Sequence, residues 1–89
     1  MYYNTQTCYD DRIDSILHFL FDYSSTATKQ LQYQKVIFDF QQLDLPALYL
    51  LFSLVQQHLP RKAKVLFMAE DYQGKQEMLL EVMAHLVKQ

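Results

Sequence analysis

The period of the hydrophobic pattern changes several times along the chain, most sharply within residues 34–69. That stretch holds a compact apolar run at 35–40 (KVIFDF), an amphipathic segment, and a second compact run at 64–69 (KVLFMA). Short continuous apolar runs with β-branched and aromatic members are typical of strands covered on both faces. The two runs are therefore expected to be buried strands, and the segment between them their crossover helix. Asp44 suits that helix as N-cap, Pro46 falls in its first turn, and Pro60 stops it. Residues 2–9, rich in Tyr and Thr, predict a further strand with one wet face at a sheet edge.

Two more helices follow from the apolar spacing. Asp10 or Asp11 suits an N-cap, Asp14 lies in the first turn, and Ile13, Ile16, Leu17 and Leu20 form one stripe that Phe19 and Phe21 widen. This helix is expected to end near Tyr23. Residues 24–29 (SSTATK) read as a polar loop, and residues 30–34 lead into the next element. Glu70 and Asp71 cap a last helix from about Tyr72 to Val87, with Leu79, Val82, Met83 and Leu86 as its stripe. The order β-α-β-α-β-α predicts one α/β domain over residues 1–89, with a mostly parallel three-stranded sheet.

The middle helix carries more apolar residues than one face needs. On a wheel of about 100° per residue, Leu45, Leu48, Phe52, Val55 and Leu59 make the expected core stripe. Ala47, Leu50 and Leu54 lie roughly opposite, between Gln57 and His58. Either they pack against neighbouring helices in a tight small core, or they form a seam for a second copy or another protein. Leu80, Ala84 and Val87 make a comparable second seam on the last helix.

Composition narrows the chemistry. Half the residues are apolar and the formal net charge is −2, which describes a folded globule with no field for phosphate backbones. Direct nucleic-acid binding is therefore not expected. Cys8 is the single cysteine, which excludes an intrachain disulfide and any CxxC metal site. The opening residues lack the basic and apolar regions of a signal peptide, and no apolar run approaches the length of a membrane span. A cytoplasmic protein is the expectation. With Gly74 the single glycine, a phosphate-cradling loop cannot be built.

In an open parallel sheet, ligands collect at the carboxyl ends of the strands. Those ends would supply Asp10 and Asp11, then Asp39, Gln41, Gln42 and Asp44, then Glu70, Asp71 and Tyr72. Asp11, Asp39 and Asp71 are thus candidate ligands for a hard cation such as Mg²⁺, and such a site would serve phosphoryl transfer or hydrolysis. Asp10, Asp44 and Asp71 are equally explained as helix caps. His18, His58 and His85 fall on three different helices and pair with no Cys or Ser at a known spacing.

From about residue 10 to residue 86 the pattern resembles a small STAS domain of the anti-sigma-factor antagonist type. The likeness rests on residues 36–40 and 65–68 as strands, with a helix from Pro46 to His58 between them. The family's regulatory serine has no counterpart, because that place reads Leu43-Asp44-Leu45-Pro46-Ala47. The resemblance implies a non-enzymatic regulator that binds a protein through this loop and helix, without a phospho-switch. Residues 64–86 also resemble one unit of the degenerate helicase-like domains of DNA-repair proteins, without any nucleotide motif.

These readings converge on a non-enzymatic interaction module with no cofactor, docking to itself or to another protein. The expected contact residues are Gln41, Gln42, Asp44, Ala47, Leu50 and Leu54. Two alternatives stand beside it: a metal-dependent phosphoryl or hydrolytic site at the acidic strand ends, and a protein-binding accessory subunit of a nucleic-acid-processing assembly.

Overall fold

At residues 35–40 and 64–69, where the pattern predicts strands, the chain is helical. The computed structural model describes residues 11–88. Among them the regular elements are all helices: α1 (Asp11–Phe21), α2 (Thr26–Gln42), α3 (Leu45–His58), α4 (Arg61–Ala69) and α5 (Tyr72–Leu86). The α/β expectation is overturned, and so is the STAS-like pattern, whose two strands lie inside α2 and α4. The edge strand expected at residues 2–9 lies outside the described residues.

The physical reason is clearest in α2. Residues 24–29, expected to be a loop, hold the helix start: the Ser25 side chain accepts a hydrogen bond from the Thr28 N–H at 3.1 Å. From Thr26 to Gln42 there is no Gly or Pro to interrupt the helix, and Lys, Gln and Leu sustain it. The apolar run then divides as a helix divides it. Val36 and Phe40, one turn apart, enter the core; Ile37 is half-buried and Phe38 stays 60% exposed. A strand covered on both faces would have buried them all.

The second run behaves in the same way. Pro60 precedes α4 without a side-chain cap bond, and of its apolar residues Phe67 alone is fully enclosed. Val65, Leu66 and Met68 remain exposed. A run of six residues is under two helical turns, too short for its period to show, so strand and helix read alike.

The other helices start and stop where their chemistry directs. The Asp44 carboxylate accepts from the Ala47 N–H at 3.1 Å to open α3, which ends at His58 ahead of Pro60. The Asp71 carboxylate accepts from the Gly74 N–H at 2.6 Å to open α5. In α1, Ile13, Ile16 and Leu17 are buried as their spacing predicts. In α5 the buried pair is Leu79 and Met83, while Val82 is exposed.

Helix α3 is the centre of the molecule. Leu48, Leu51, Phe52, Leu54 and Val55 are all buried, a face wide enough to meet α1 and α4. Helix α1 packs most extensively on α2, and α2 meets α5. The α1–α2 pair is antiparallel and tied at both ends. Arg12 Nη1 donates to the Gln42 carbonyl at 3.0 Å, and Lys29 Nζ donates to the Phe19 carbonyl at 2.5 Å and the Asp22 carbonyl at 3.2 Å. Lys29 is buried, with its ammonium 5.1 Å from the Phe19 ring centre. A cation on the last carbonyls of a helix satisfies groups that have no intrahelical partner, and it sits at the negative end of the dipole.

Candidate interaction surface

The four helices around the core leave an apolar groove where α1, α3, α4 and α5 converge. It encloses about 160 Å³, and every lining residue is apolar. Leu20 and Phe21 come from the end of α1, Val55 and Leu59 from the α3 side, and Ala63, Leu66 and Phe67 from α4. Met78, Leu79 and Val82 close it from α5. Its floor is core, with Phe67 and Leu79 enclosed. Its rim faces solvent: Phe21 is 38% exposed, Val82 41% and Leu66 63%.

Helical spacing explains how these side chains meet. Ala63, Leu66 and Phe67 recur at i, i+3 and i+4 along one side of α4, and on α5 Met78 and Val82 lie one turn apart with Leu79 beside them. Phe21 is held in place by the ring of His58, stacked at 5.0 Å, whose Nδ1 donates to the Leu54 carbonyl at 2.8 Å. Beneath the groove, Phe67 meets Phe52 edge-on at 5.9 Å, and Lys75 Nζ sits 5.3 Å from the Phe67 ring centre. A pocket lined by apolar residues offers little to orient a polar substrate; it fits an apolar side chain.

The expected contact residues do not gather there. Gln41 and Gln42 are exposed at the end of α2, where Gln41 lines a wider and more polar depression with Leu48, Tyr72 and Gln76. Asp44 is used as the α3 cap, and Ala47 is half-buried against the core. Leu54 is only 8% exposed and belongs to the core, whereas Leu50 is 39% exposed. The structure therefore separates one core residue and one surface residue that the wheel had grouped.

The acidic candidates are scattered as well. Asp11 opens α1 and Asp71 caps α5. Asp39 is buried within α2, where its carboxylate accepts from Lys35 Nζ at 2.7 Å. The strand ends that would have brought them together do not exist among the described residues. Neither does any cluster of three His, Cys, Asp or Glu side chains able to hold a metal.

Sequence reasoning passed over Phe21, Leu66, Met78 and Val82 as a set. The available signal was in α4: nine residues between a proline and an acidic pair cannot bury four large apolar side chains on one helical face. No helix among the described residues is long and apolar enough to cross a membrane. Set against known proteins, the chain matches no family model, and no curated protein or solved structure is similar to it.

Proposed function

We propose that this chain is a non-enzymatic interaction module that docks a protein partner over the apolar groove between α1, α3, α4 and α5. The observation that carries this reading is a concavity lined by apolar residues, of which Phe21, Leu66 and Val82 at the rim face water. A pocket of this kind is where contact affinity concentrates, because a side chain inserted into it is desolvated on all sides. Each large apolar side chain moved from water into such a contact contributes about 2 kcal/mol. We place the module in the cytoplasm, a reading supported by its single cysteine and absent disulfides.

The test uses a photo-crosslinking amino acid at Val82, and in a control chain at Gln32, an exposed polar position on α2. The expected result is a discrete protein adduct from position 82 and none from position 32, lost when Leu66→Glu is added to the same chain. Equal labelling at both positions, or none at either, overturns the proposal.

A further inference from the structure

We draw no further inference here: the strongest candidate, the exposed apolar face of α4 at Val65, Leu66 and Met68 beside the groove between α1, α3, α4 and α5, carries nothing beyond the docking already proposed, because nothing in the structure shows what covers it.

Discussion

Lys29 shows most directly how much one side chain can hold in so small a core. Its ammonium is buried, yet two carbonyls at the end of α1 accept from it and the Phe19 ring lies beside it. Lys29→Met keeps the apolar stem and strands those carbonyls, so we expect a loss of about 1–3 kcal/mol in urea unfolding. The two leucines of the α3 seam should part company in the same assay. Leu54→Ala opens a cavity and costs about 2–5 kcal/mol, while Leu50→Ala, at a half-open position, costs under about 1 kcal/mol. At this scale the sequence was most legible where a residue acts on its own backbone neighbours. Asp44 and Asp71 cap the helices they were expected to cap. Lys29 was not legible, because it sits on the first half of α2, an element whose existence had been missed, and its partners are carbonyls at the end of α1.

At the scale of elements, α2 is the sharpest departure from expectation. Its first half had been divided between a loop and a lead-in, and its second half taken for a strand. Gln34 is an exposed mid-helix position in the structure. Gln34→Pro is therefore expected to cost about 3 kcal/mol, as in any helix interior, and to lower the helical circular dichroism. A proline tolerated there would contradict a continuous α2. Helices α1, α3 and α5 were readable because each runs long enough for its period to show, with a capping acid or a proline at an end. Helix α4 and the second half of α2 were not. A six-residue run that is mostly apolar fits a buried strand or two faces of a helix equally, and tertiary packing decides between them. The groove was illegible for a related reason: it draws on four helices, and no local pattern records their convergence.

Across the whole molecule, stability is unevenly spread. Helices α1, α2 and α3 interlock through many buried side chains, whereas α4 is enclosed through Phe67 alone, has no side-chain N-cap and packs chiefly on α3. Phe67→Ala removes that anchor and should cost about 3–5 kcal/mol if the chain unfolds as one unit. Native-state hydrogen exchange decides whether it does. We expect the α4 amides to exchange earliest of the five helices, by local opening, and uniform protection would contradict that. The single anchor also bears on how long the chain survives. Arg61, Lys62 and Lys64 are cleavage sites for trypsin-like proteases, and they sit on the helix that opens most readily. Digestion of the folded protein should therefore begin at α4 and separate the α1–α3 body from α5. Any contact that covers this helix would lengthen the protein's lifetime without strengthening the rest of its core.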